Sequence, residues 1–292
     1  MPTPMLHAFP DALPLARALH QQLGWPLAEV ALHHFPDGES RLRVAASPGG
    51  AAVLLRSLHD PNAKLVEVLL AADALRRAGA TRLTLVAPYL GYMRQDAVFE
   101  PGEALSQRAI GSLLGVAFEC VLCVEAHLHR VKTLAEVFPC RAESLPAAPV
   151  LAAWLRGEGA PLLVGPDEES EPWLRDLAGR SGLAWCVGAK RRRGDRDVEV
   201  TLPPLPRGVE HALLVDDIVS SGATFAAAAR ALRAAGVTRV EALVVHAIFA
   251  PGALETLHTA GVSQVVSTDT IPHATNRISV APLLAAALAE AA

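Results

Sequence analysis

The stretch Leu213-Leu-Val-Asp-Asp-Ile-Val-Ser-Ser-Gly-Ala-Thr224 concentrates more usable chemistry than any other part of the chain. An apolar run delivers two adjacent carboxylates, Asp216 and Asp217, and a turn of small residues follows: Ser220, Ser221, Gly222, Ala223 and Thr224. Such a run suits a buried parallel strand, and ligands of open parallel sheets bind where those strands end. A small-residue turn that enters a helix offers backbone N–H groups and hydroxyls to an anion. Carboxylates just ahead of that cradle suit the vicinal hydroxyls of a sugar whose phosphate lies in it. An ordinary helix cap would account for the Ser-Ser-Gly-Ala-Thr turn. It does not account for two uncompensated carboxylates closing an apolar strand, so the expected ligand is a phosphorylated ribose.

Other stretches carry chemistry of different kinds. Ala189-Lys-Arg-Arg-Arg193 gathers positive charge on a chain whose net charge is -4. Lys64, Lys132 and Lys190 are the only lysines among 26 basic residues. A lysine kept inside an arginine cluster points to a need for a compact ammonium group, not a planar fork. The competing reading is a solvated basic patch; a nucleic-acid contact lacks the aromatic platform it would need. Pro88-Tyr-Leu-Gly-Tyr-Met-Arg-Gln-Asp96 reads as a strand ending at Tyr89, then a loop with Arg94, Gln95 and Asp96 that offers a guanidinium for phosphate or purine contacts, the plainer reading being a solvated polar loop. Phe35-Pro-Asp-Gly-Glu39 contains the Asp-Gly turn signal ahead of the alternating Ser40-Arg-Leu-Arg-Val44, which predicts a hairpin. In Val124-Glu-Ala-His-Leu-His129 the two histidines would share a strand face, a spacing that also fits a transition metal. Asp167 closes one more apolar run, and Glu168 and Glu169 suit the start of the next helix.

These groups need a scaffold. Apolar runs at 83–89, 118–124, 162–165, 212–215, 240–248 and 264–267 alternate with helical patterns at 104–116, 168–181, 224–235 and 252–260. That alternation predicts α/β architecture with parallel sheets covered on both faces. The units exceed one compact layer, and the Pro/Ala-rich Glu143–Pro149 is the expected linker, giving domains 1–145 and 146–292. The Ala/Leu-rich end, 282–292, predicts a terminal helix that packs back on the N-terminal domain. Cys120 and Cys123 form a CxxC, but inside an apolar strand they point to opposite faces, and no second CxxC completes a zinc site; buried thiols are expected. No apolar run reaches the roughly 20 residues of a membrane helix, and the N-terminus lacks a basic leader. The expected compartment is the cytoplasm, with neither membrane nor nucleic acid as partner.

Asp216-Asp-Ile-Val-Ser-Ser-Gly-Ala-Thr224 resembles the phosphoribosyl pyrophosphate (PRPP) loop of type I phosphoribosyltransferases. The remaining segments narrow the resemblance to the ribose-phosphate pyrophosphokinase family, from about His34 to Pro272. It implies two tandem phosphoribosyltransferase-like (PRTase type I) domains, each a mostly parallel sheet flanked by helices. It also implies transfer of diphosphate from Mg-ATP to ribose 5-phosphate. Phe35, Asp37 and Glu39 match an adenine-binding loop that is often contributed by a neighbouring subunit; Arg94, Gln95, Asp96 and His127 match further ATP contacts. His127 and Asp167 match the metal region, with Mg2+ as the cofactor. Hard Mg2+ prefers oxygen ligands, so His127 would touch a phosphate or a bound water. Lys190 and Arg192 match transition-state contacts on a mobile catalytic loop, and 216–224 match the ribose 5-phosphate site. His246 and Thr268-Asp-Thr-Ile-Pro272 resemble family segments near the second domain's sheet edge, and residues 268–271 give positional support only. A homo-oligomer, dimer or hexamer of dimers, is implied.

The chain departs from the family pattern at Glu125 and Ala126, where Asp-Leu is usual, and at Ser220, where many members carry Asp. A phosphoribosyltransferase that consumes PRPP shares the cradle but needs neither the 35–39 and 94–96 segments nor a second domain. A catalytically silent homologue should have lost the basic cluster or the cradle, and both are present. The absence of GxxxxGK[ST] excludes a P-loop for the nucleotide.

Overall fold

The computed structural model describes residues 3–47, 50–128, 130–192 and 198–291, with the side chains of 191, 192 and 198 left aside. Two compact units emerge: Met1–Pro146 with Val280–Ala292, and Ala147–Ser279.

The first unit contains β1 (Met5–Ala8), α1 (Leu13–Leu23), β2 (Leu27–Glu29), β3 (Ala31–His34), β4 (Ser40–Arg43), β5 (Ala51–Leu55), α2 (Pro61–Arg77), β6 (Arg82–Val86), α3 (Ser106–Ala117), β7 (Cys120–Val124) and β8 (Arg141–Leu145). Its sheet has the order β2-β1-β5-β6-β7-β8, every pair parallel, and β3 and β4 form a separate antiparallel hairpin. All five residues of β7 are buried, as expected of a strand covered on both faces. Leu54, Leu58, Val68, Leu85 and Val121 lie in one hydrophobic core of this unit. Cys123 joins that core while Cys120 lies outside it, so the CxxC thiols do face opposite ways, and both are free. Burial pushes the Cys123 thiol up to about 12, which leaves it inert.

The second unit contains α4 (Ala148–Leu155), β9 (Leu162–Gly165), α5 (Glu171–Ser181), β10 (Trp185–Val187), β11 (Ala189–Arg192), β12 (Val198–Thr201), β13 (His211–Ile218), α6 (Ala223–Ala234), β14 (Arg239–His246), α7 (Ala253–Thr259), β15 (Val262–Thr268) and β16 (Asn276–Ile278). Its parallel sheet runs β10-β9-β13-β14-β15-β16, with β11 and β12 as an antiparallel hairpin. The Ala-rich inner face of α6 packs with Leu214, Val244 and Leu257; small side chains let the helix lie close on the strands. The last helix, α8 (Ala281–Ala291), belongs to the first unit.

Three expectations need correction. The units divide after Pro146, inside the stretch expected to join them, but Glu143–Pro149 is mostly regular structure: it is the end of β8 and the start of α4, with only Pro146 and Ala147 between them. Its Pro and Ala suit a helix entry as well as a loop, and Pro149 occupies the first turn of α4, where its missing N–H costs nothing. The strand before the Arg94 loop ends at Val86, not Tyr89. Pro88 has no N–H to extend the ladder, and the Tyr89 amide turns to the Ser57 hydroxyl at 3.3 Å. His127 lies in the loop beyond β7, so the shared strand face expected for His127 and His129 is not formed; His129 itself lies outside the described residues.

Candidate functional site

In the second unit β13 and β9 are neighbours in the sheet, and both release their functional residues at their C-terminal ends. Asp216 and Asp217 are half-buried near the end of β13, and the Asp217 amide donates to Asp216 Oδ1 at 3.0 Å. Burial, then the charges of Asp217 and Asp167, raise the Asp216 carboxyl well above the usual carboxylate range. Three acidic side chains therefore act on one another at this edge of the sheet.

The turn after β13 leads directly into α6. Gly222 caps the helix at φ 77°, a left-handed conformation that favours glycine, and a Cβ there would lie 3.3 Å from the Ala253 carbonyl oxygen and from Leu257. The first intrahelical bond runs from the Ala226 amide to Gly222 O at 2.8 Å, so the amides of 223–225 precede it. The Ala223 amide approaches the Ser221 hydroxyl at 3.4 Å. Ser220 and Ser221 are exposed, and Thr224 is half-buried in the first turn. The Ser220 carbonyl accepts from the Ala250 amide at 3.0 Å, which ties the turn to the segment before α7. Backbone donors, hydroxyls and the positive end of a 12-residue helix thus converge one turn beyond two carboxylates.

Lys190 sits on β11, paired in register with Val200 of β12, and its Nζ lies 3.0 Å from Asp167 Oδ2. Both side chains are mostly buried. Ala189–Arg192 of the basic cluster thus lie on a strand paired with β12, where the resemblance implied a loop; residues 193–197 lie outside the described set, and only the backbone of Arg192 is placed. Gly188 brings the hairpin against the end of β9: its amide donates to Gly165 O at 2.9 Å, and a Cβ on it would stand 2.7 Å from Val200 Cγ1. Asp167 follows β9 in extended conformation, and the Ser170 hydroxyl donates to its carbonyl at 2.6 Å. Glu168–Ser170 form a single 3-10 turn before α5, so the helix starts later than expected.

In the first unit, the β3–β4 hairpin turns through Phe35, Asp37 and Glu39. The Phe35 amide donates to Glu39 O at 2.8 Å, and Asp37 Oδ1 accepts from the Glu39 amide at 3.1 Å. Phe35 is exposed, with the His33 ring against it at 4.9 Å and the Arg41 guanidinium 5.8 Å from its centroid. Sequence patterning did not disclose what anchors this hairpin. Glu67 of α2, only 2% exposed, accepts from His34 Nε2 at 2.6 Å, from the Ser40 hydroxyl at 2.7 Å and from Arg56 Nη1. Burial pushes the Glu67 carboxyl up, but the bonds from Ser40, His34 and Arg56 outweigh it and leave it below its ordinary value. Arg56 also stacks 3.9 Å over Phe9 and lies 3.6 Å from Asp11, which pairs with Lys64 at 3.0 Å. These partners are 11 to 33 residues from Glu67 along the chain, and no local signal marks them.

Arg94 is exposed, whereas Gln95 donates to the Ala97 carbonyl at 3.0 Å. The Asp96 side chain is 1% exposed and accepts from the Arg130 amide at 3.1 Å and from Arg130 Nη1 at 2.6 Å. His127 is half-buried in the same loop as Arg130. His246 is buried and bonded to Thr270 at 2.9 Å, and Thr268 and Thr270, expected to carry no chemistry, both donate to Val245 O. Among the described residues no three His, Cys, Asp or Glu side chains converge tightly enough to hold a metal on their own.

A family model described as the N-terminal domain of ribose phosphate pyrophosphokinase matches residues 5–117, and one for the phosphoribosyl transferase domain matches residues 145–281. The ribose-phosphate pyrophosphokinase of Methanopyrus kandleri is 34% identical over 95% of this chain and 96% of its own length. That of Thermococcus kodakarensis is 35% identical, covering 89% and 92%. The crystal structure of phosphoribosylpyrophosphate synthetase from Mycobacterium smegmatis aligns with a TM-score of 0.83 at 26% identity over 99% of both chains. Given two matched domains, relatives of nearly equal length and the carboxylate pair with its turn, the chain belongs to the ribose-phosphate pyrophosphokinase family.

Proposed function

We infer that the chain is a ribose-phosphate diphosphokinase. The C1 hydroxyl oxygen of ribose 5-phosphate bonds to the β-phosphorus of ATP, the bond from that phosphorus to the α,β-bridging oxygen breaks, and AMP leaves as PRPP forms. The observation that carries this reading is the arrangement at the end of β13: two carboxylates, then a glycine-capped turn and an open helix N-terminus, with Lys190 beside Asp167 on the adjacent strand end. The amides and hydroxyls of Ser220, Ser221, Gly222, Ala223 and Thr224 hold the 5-phosphate, and Asp216 and Asp217 take the ring hydroxyls. Fixing the sugar at both ends orients its C1 oxygen, and orientation lowers the barrier. Lys190 and Arg192 offset charge that grows on the transferring diphosphate and the departing AMP.

In the first unit Phe35, Asp37 and Glu39 recognise the adenine, while Arg94, Gln95 and His127 meet the nucleotide. Mg2+ is the cation the donor set fits. Asp167, Asp216 and Asp217 are hard oxygen donors, and the lack of a closed three-ligand cluster among the described residues suits an ion that keeps waters and shares phosphate oxygens. Asp167 would hold the ion, His127 would reach a phosphate or a bound water, and the bound ion neutralises phosphate charge.

The assay combines the protein with ATP, Mg2+ and ribose 5-phosphate. Equimolar AMP and PRPP are expected; ADP as product, or no nucleotide turnover, would sink the reading. PRPP supplied with free bases tests the transferase alternative, and base consumption there would favour it.

A further inference from the structure

We propose that Asp96 is a positioning residue: through Arg130 it fixes the loop that carries His127, and it does not itself meet the nucleotide. β6 and β7 are adjacent parallel strands, so the loops that follow them leave the same end of the sheet side by side. The first carries Arg94, Gln95 and Asp96, and the second His127 and Arg130. The carboxylate of Asp96 spans the gap, binding both the backbone amide and the guanidinium of Arg130 at 3.1 and 2.6 Å. Its side chain is 1% exposed, so its oxygens face the second loop and not solvent. Arg130 is exposed on its outer side and packs its guanidinium 5.2 Å from the Phe99 centroid, which returns it to the first loop. One charged pair therefore links the loops at both its ends.

Backbone strain marks the same two segments. Only three described non-glycine residues adopt positive φ, and two of them lie in these loops: Tyr92 at 66° and Glu125 at 41°. Such conformations persist only where surrounding contacts over-determine them. Tyr92 bonds to Asn62, the Glu125 amide donates to Leu145 O at 2.9 Å, and the Ala126 amide donates to the Ser144 hydroxyl at 2.8 Å. Each loop is thus fastened to a neighbouring element. The Asp96–Arg130 pair then fastens the second loop again at Arg130, with His127 between the two fastenings.

This inference rests on the nucleotide role of the first unit, and the test separates the two. Arg130→Ala alters an exposed side chain that is no proposed ligand contact. It should raise KM for ATP about tenfold, as expected for a lost charged hydrogen bond, and leave KM for ribose 5-phosphate unchanged. Arg130→Lys, which keeps a charged donor, should recover part of the loss. In a His127→Ala background Arg130→Ala should add nothing further, because its effect runs through the histidine. Asp96→Ala should match Arg130→Ala, and the double variant should be no worse than either. Equal losses for both substrates, additivity with His127→Ala, or an unchanged KM for ATP in Arg130→Ala would overturn the proposal. Failure of the unmodified protein to form AMP and PRPP would instead remove the function on which it rests.

Discussion

At the scale of single residues, Lys190 and Asp216 make opposite predictions. Lys190 Nζ lies 3.0 Å from Asp167, on a hairpin that glycine brings close to β9. Lys190→Ala should lower kcat by about 100-fold, the scale of one lost electrostatic contact to a developing charge, with the fold intact by circular dichroism. Asp216 works against stability. Burial and the adjacent acidic groups raise its carboxyl, so its ionised form is disfavoured in the folded state. The sign follows: its contribution is most favourable at low pH and is lost as pH rises through the raised value. Asp216→Asn should therefore raise the melting temperature of the ligand-free protein at neutral pH and lose binding of ribose 5-phosphate. Below the ordinary carboxylate range, where both side chains are neutral, the difference in melting temperature should vanish. An Asn variant that melts lower at neutral pH would show that Asp216 is not strained by its charge.

At the scale of elements, the β3–β4 hairpin depends on α2 through one carboxylate. Glu67 is 2% exposed and holds His34, Ser40 and Arg56. Removing it leaves Arg56, itself 7% exposed, as a buried charge paired with Asp11 at 3.6 Å, a carboxylate it shares with Lys64. Glu67→Ala should cost about 3–5 kcal/mol, measured by denaturant unfolding, in keeping with broken buried ion pairs. Because the Glu67 carboxyl is depressed, its stabilisation is present above its unfolded value and fades as pH falls through the folded one. The gap between native and variant should therefore narrow in acid. This dependence also shows where sequence reading stops. The Asp-Gly turn and the alternation of 40–44 made the hairpin legible, because turn chemistry is local. Its anchor was not, because Glu67 lies 27 residues from Ser40 on a helix whose pattern gives no sign of a carboxylate facing inward. The same holds for Asp96, whose partner Arg130 is 34 residues away. The strand, turn and helix start around 216–224 were legible, since they and the carboxylates are contiguous in the chain. Pro and Ala in 143–149 marked where the units divide but not the local structure, because those residues serve helix entries as readily as irregular linkers.

At the scale of the whole molecule, the chain ends in the unit where it begins. α8 follows the second unit in sequence but belongs to the first, where it packs on α1. Leu284 is wholly buried and Leu288 is 2% exposed, so the helix contributes a real part of that core. The first unit therefore needs residues that arrive only after the second has been made, and the two units should differ in how they respond to damage here. Leu284→Ala should cost about 2–5 kcal/mol, as for other fully buried leucines that leave a cavity. The loss should fall on the first unit alone, because each unit has its own core and a two-unit chain need not unfold in a single step. Hydrogen exchange reads this directly. Amides of α1, β1 and β5 should exchange faster in the variant, while those of β9, β13 and β14 keep their native protection. Equal loss of protection in both sets would mean that the units unfold as one body, and that the terminal helix stabilises the entire chain instead of the half it packs on.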